Sequence, residues 1–96
     1  MATTPEGKVK AKIKAVLKKH NVYYFMPMGF QFGRSGIPDF VCCHKGQFLA
    51  IEAKAPGGKV SALQRVEIDN INRHGGNAFI VASDESIDLL DELLSQ

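Results

Sequence analysis

Apolar residues recur at helical spacing at both ends of the chain and crowd into short dense runs between them, and these changes of period mark out its elements. Val9, Ile13, Val16, Leu17 and His20 share one helical face and predict a helix over about 5–20, with Lys8, Lys10, Lys12, Lys14, Lys18 and Lys19 on its other sides. Thr3-Thr4-Pro5-Glu6 reads as its start, a Thr-x-x-Glu capping box with Pro near the first helical position, and Asn21 reads as its C-cap. Residues 22–26 are β-branched and aromatic and predict a strand that Pro27 closes. Residues 28–37 contain Gly29, Gly33, Arg34, Ser35 and Gly36 without any period, and are expected to form a mobile loop. Two apolar runs, 38–44 and 47–54, flank Lys45-Gly46 and predict a hairpin. After Pro56-Gly57-Gly58-Lys59, the Ser-x-x-Gln box of Ser61-Ala62-Leu63-Gln64 opens a helix to about His74, which Gly75-Gly76 ends. The buried-looking strand at 77–82 follows a helical crossover and should therefore run parallel to strand 47–54. Ser83 then caps a last helix with Ile87, Leu90, Leu93 and Leu94 opposite Asp84, Glu85, Asp88, Asp91 and Glu92. The order αβββαβα predicts an α/β fold with one mixed four-stranded sheet flanked by helices.

The hairpin carries the candidate chemistry. With Lys45-Gly46 as a two-residue loop, His44 faces Gln47, every facing pair of residue numbers adds to 91, and Asp39 stands opposite Glu52. A four-residue loop keeps this register, whereas three or five residues would shift it. Two carboxylates directly across a sheet repel, so a cation must compensate or one of them must hold a proton. Mg²⁺ or Mn²⁺ meets the need most simply, since hard cations prefer oxygen ligands and are commonly held by one or two carboxylates. Lys54 follows Glu52 by two residues and points to the same face.

Ninety-six residues, 45% hydrophobic and 23% charged, suit one small domain over 1–96 of ordinary globular composition. No apolar run approaches the ~18 residues of a membrane span, and Met1-Ala2-Thr3-Thr4 lacks signal-peptide character, so a cytoplasmic protein is expected, a phage or bacterial origin being compatible with it. The adjacent Cys42 and Cys43 point to opposite faces of a strand and read as reduced core thiols. The net charge of +2 hides an asymmetry: residues 1–83 hold all 12 basic residues, and 84–96 hold five acids and none. A basic body suits a polyanion such as nucleic acid, although lysines on a solvated helix explain the N-terminal cluster as well. His20, His44 and His74 show no zinc-site spacing and read as structural or surface residues. Tyr23, Tyr24, Phe25, Phe30 and Phe32 suit core or dimer packing better than base stacking.

A strand opening on Pro-Asp, followed by one carrying Glu-x-Lys within an αβββαβ core, resembles the PD-(D/E)XK, restriction-endonuclease-like nucleases. Within that superfamily the chain is most similar to minimal stand-alone VRR-NUC domains. The matching residues are Gly36-Ile37-Pro38-Asp39-Phe40, Glu52-Ala53-Lys54, the stretch from Gly57-Gly58-Lys59 to Gln64, the Gly75-Gly76 turn, and Glu6 on the first helix. The resemblance implies that Asp39, Glu52 and the Ala53 backbone carbonyl ligate Mg²⁺ or Mn²⁺, that Lys54 contacts the attacking water or the charge on phosphate, and that Gln64 faces the site. It assigns Glu6 a supporting metal or water contact, while helix capping and the helix dipole explain Glu6, and capping explains Gln64, without further function. Arg34, Lys59 and Arg65, in or beside the two glycine-rich loops, either grip phosphates flanking the cut or are solvated loop charges. The implied activity is a metal-dependent DNA endonuclease acting as a homodimer on branched DNA such as a four-way junction. The alternatives are a nucleic-acid-binding module that does not turn over or needs a partner to do so, and an interaction protein centred on the acidic last helix.

Overall fold

The structure, a computed structural model, describes residues 4–28 and 35–96. Its elements are α1 (Pro5–Lys19), β1 (Tyr23–Phe25), β2 (Phe40–His44), β3 (Gln47–Ala53), α2 (Ala62–Arg73), β4 (Asn77–Val81) and α3 (Asp84–Leu94). The four strands form one sheet in the order β1-β2-β3-β4, antiparallel except for the parallel β3–β4 pair that the α2 crossover produces. This is the mixed α/β architecture expected from the pattern of periods.

Strand alternation sends successive residues of β3 into two different layers. Leu49, Ile51 and Ala53 join Phe40 and Cys42 of β2, Val9, Ile13, Val16 and Leu17 of α1, and Ile87, Leu90 and Leu94 of α3 in the larger core. Ala50 faces the other way, with Ile68 of α2 and Ala78 of β4. Glu52 comes next on this second face, and only 3% of it is exposed.

The hairpin register is the expected one: β2 and β3 pair from His44↔Gln47 to Phe40↔Ile51. Lys45 and Gly46 have φ of 53° and 79°, the two positive values a type I′ turn requires. The ladder stops one step short of Asp39, so Asp39 is not the paired strand residue that extrapolation made it; it sits just outside β2 and reaches β3 with its side chain.

Capping differs at α1 and agrees at α2 and α3. Thr4, not Thr3, is the N-cap of α1, and its hydroxyl accepts from the Gly7 N–H at 2.9 Å. Gly7 rather than Glu6 therefore occupies the third helical position, and the expected box with Glu6 does not form. At the other end His20 is the C-cap, and Asn21, with φ 54°, takes the left-handed position after it. Ser61 with Gln64 and Ser83 with Ser86 close both of the other boxes.

Of the loop expected over 28–37, residues 29–34 lie outside the described residues, and with them Phe30, Phe32 and Arg34. The segment that re-enters at Ser35 is pressed onto α2: a Cβ on Gly36 would stand 2.6 Å from the Leu63 carbonyl, and its φ is 82°. Only glycine fits there. Cys42 is buried, and burial pushes its thiol up to about 11, but Cys43 is exposed and is not the core thiol expected. Among the described residues no helix is long and apolar enough to cross a membrane.

Candidate active site

Asp39, Glu52, Lys54 and Gln64 converge at the end of the β2–β3 hairpin, where the first turn of α2 meets the sheet. The Asp39 carboxylate replaces the backbone acceptor that the ladder lacks, its Oδ2 accepting from the Ala53 N–H at 2.9 Å. The N–H and C=O of one strand residue point to the same side, so the Ala53 carbonyl is also directed towards Asp39. The Lys54 N–H donates the other way, to Val81 O on β4 at 3.0 Å, which locks the strand at its last turn of register.

Glu52 Oε2 accepts from Gln64 Nε2 at 2.8 Å and lies 3.7 Å from the Lys54 ammonium. Its Oε1 is buried without any hydrogen-bond partner. Burial first, and the neighbouring Asp39 charge second, raise the Glu52 pKa to about 7. Lys54 opposes the shift, while hydrogen bonding of the protonated form to Asp39 and the charge of Glu6 add to it. A carboxylate placed in this way has one oxygen anchored and the other in want of a positive partner. Among the described residues no three His, Cys, Asp or Glu side chains gather into one group. The donors that could hold a cation here are two carboxylates, a carbonyl and water, oxygen ligands of the kind hard cations such as Mg²⁺ or Mn²⁺ prefer.

Gln64 fills both roles that sequence reasoning left open. Its Oε1 accepts from the Ser61 N–H at 2.9 Å to complete the capping box, and its Nε2 donates to Glu52. The two partners demand opposite ends of the amide, so they fix its orientation together. Glu6 stands at the rim, 3.5 Å from Lys10, and acts on Glu52 through its charge. Lys59 and Arg65 are exposed beyond the site and make no ion pair among the described residues.

Lys10 was not singled out by the sequence pattern, yet its ammonium lies 3.7 Å from Asp39 Oδ1 and 3.5 Å from Glu6. The available signal was the Glu6-x-x-x-Lys10 spacing, which sets the two on one side of α1. The three histidines are structural or surface groups as expected: His20 bonds Asp91, and His44 and His74 bond backbone carbonyls of Leu94 and Asn70.

Comparison with known proteins gives the family and the fold. The VRR-NUC domain family model matches residues 5–85. A solved VRR_NUC domain structure superposes with a TM-score of 0.81 at 27% identity, covering 94% of this chain and 97% of that one. No curated protein sequence matches the chain. With a family model spanning all but a few residues at the start and the last helix, and the same architecture in a solved relative, the chain belongs to the VRR-NUC domain family, a nuclease-type family.

Proposed function

We propose that this protein is a Mg²⁺- or Mn²⁺-dependent DNA endonuclease that hydrolyses phosphodiester bonds, and that it cuts branched DNA such as a four-way junction as a homodimer. The observation that carries the reading is the buried Glu52 carboxylate, with Oε1 unpartnered and Asp39 beside it. A buried carboxylate oxygen left without a partner is costly, and a hard cation would complete it. Asp39, Glu52 and the Ala53 carbonyl would hold the ion, and Glu6, whose charge reaches Glu52, would take the supporting metal or water contact that the resemblance implies. Bound there, it would supply Lewis acidity to a phosphate oxygen and acidify a water.

The chain's own residues supply the rest. Gln64 holds the Glu52 carboxylate in place from the start of α2. Lys54, with its side chain 15% exposed, keeps an ammonium next to the carboxylates, where negative charge grows on phosphate during attack. Lys59 and Arg65 are available to phosphates beside the site, in a positioning role. One candidate site among the described residues makes one nick, and resolving a junction takes two, which favours a pair of chains related by a two-fold axis. Exposed apolar side chains on the sheet edge at Tyr23 and Phe25, or on α3 at Leu89 and Leu93, offer a patch for that pairing.

The test incubates labelled junction, flap and linear duplex with the protein and Mg²⁺ or Mn²⁺. Metal-dependent cleavage, strongest on the junction and lost in Glu52→Ala, is the expected result. No product from any substrate, or unchanged cleavage by Glu52→Ala, rejects the nuclease reading. Salt-sensitive binding without product would favour the non-cleaving module instead.

A further inference from the structure

Five of the six lysines of α1 fall into two groups, and the structure treats the groups differently. On the flank facing α3, Lys12 bonds Asp84 at 2.6 Å and Lys19 bonds Asp91 at 2.9 Å. The acidic helix thus pairs two of the three lysines on that side; the third, Lys8, beside Lys12 and Asp84, belongs to neither group and makes no ion pair among the described residues. On the opposite flank, Glu6, Lys10, Lys14 and Lys18 follow one another at four-residue steps and so form a single ridge. Lys10 ties the ridge to the candidate site through Asp39. Lys14 and Lys18 are exposed and make no ion pair among the described residues.

From this division we infer that the Lys10-Lys14-Lys18 ridge is a nucleic-acid interface, a track for the phosphate backbone leading away from the site along α1. The inference rests on the DNA reading above and deepens it by naming the surface. From Lys10 to Lys18 the helix advances about 12 Å, roughly three to four base-pair steps of duplex. The ridge starts at the carboxylates, where the scissile phosphate would sit, and carries unneutralised charge outwards from it. Lys59 precedes α2 and Arg65 lies in its first turn, across the sheet from α1, so a strand crossing the site would meet basic residues on both sides of it. The acids of α3 act as a mask: they cancel Lys12 and Lys19, which point away from this path, and leave Lys14 and Lys18 bare.

The experiment compares two charge-matched variants, Lys14→Gln with Lys18→Gln and Lys12→Gln with Lys19→Gln, each two positive charges below the wild type. Circular dichroism establishes that each is folded, and the affinity for a labelled four-way junction and a labelled linear duplex is followed by anisotropy against salt, in EDTA so that nothing is cut. Each lost phosphate contact lowers the slope of log K against log salt by about 0.9. The ridge pair is expected to lower it by about 1.8, and the α3-facing pair to leave it within about 0.3 of wild type. Equal losses in the two variants, or no loss in the ridge pair, would overturn the interface while leaving the DNA reading standing. Failure of the wild type to bind either DNA at any salt would remove the DNA reading and this surface with it.

Discussion

On the face covered by α1 and α3, the sheet buries a continuous apolar layer that runs from Val9 to Leu94, with Ile13, Leu17, Phe40 and Ile51 fully enclosed. Under α2 the same sheet buries Ala50, Ala78 and Ile68, and then an acid. Ala50 and Ala78 are register partners on neighbouring strands, and their small side chains let α2 settle close to the sheet. That approach brings Gln64 within reach of Glu52. The comparison teaches that the two layers divide the work: one supplies the burial that holds the chain together, and the other spends tight packing on fixing a carboxylate.

Three substitutions sharpen the contrast. Leu17→Ala opens a cavity in the larger layer and should destabilise the protein by about 2–5 kcal/mol in urea unfolding; a loss no greater than that of Ile68→Ala would break the comparison. Glu52→Gln should do the opposite. Because the Glu52 pKa is raised to about 7 in the folded state from 4.5, the folded protein holds the extra proton between those values. Metal-free wild type should therefore lose stability as pH rises from about 4.5 to 7, and Glu52→Gln should flatten that part of the profile. Above pH 7 the variant should be more stable by on the order of 1–3 kcal/mol while losing cleavage. A variant no more stable than wild type at pH 8 would mean that the ionised acid is not a burden on the fold. Smallest is Ser61→Ala, expected to cost about 1 kcal/mol through the lost cap. Cleavage should change little, since the Gln64 side chain keeps both its partners, the Ser61 backbone N–H and Glu52; thermal melts and a junction assay read the two outcomes separately.

Much of the site was legible because local rules chain together. A two-residue turn with two positive φ values fixes the hairpin register, the register brings Asp39 and Glu52 to the same end, and two-residue alternation adds Lys54 to that face. Gln64 was visible as a capping residue by its spacing from Ser61, but its bond to Glu52 depends on how closely α2 packs. Lys10 was invisible for a related reason: which of the lysines on α1 reaches Asp39 is decided by the placement of the helix over the sheet, not by its own periodicity. Glu6 looked like a cap because Thr3 stands three residues before it; Thr4 took that position, and Glu6 pairs with Lys10 instead. Cys43 looked like core because its run is apolar, yet α2 packs over β4 and leaves the β1–β2 end of that face exposed. The family match supports the nuclease class that the Pro-Asp and Glu-x-Lys pattern implied.

The single amide of Gln64 links two events that would otherwise be separate. A hydrogen bond to an ionised carboxylate is stronger than one to its neutral form, so deprotonating Glu52 tightens the same side chain that closes the first turn of α2. Fraying of that turn and the charge of the acid then become one equilibrium, and the hydrogen-exchange rate of the Ser61 amide would report the titration from outside the cleft.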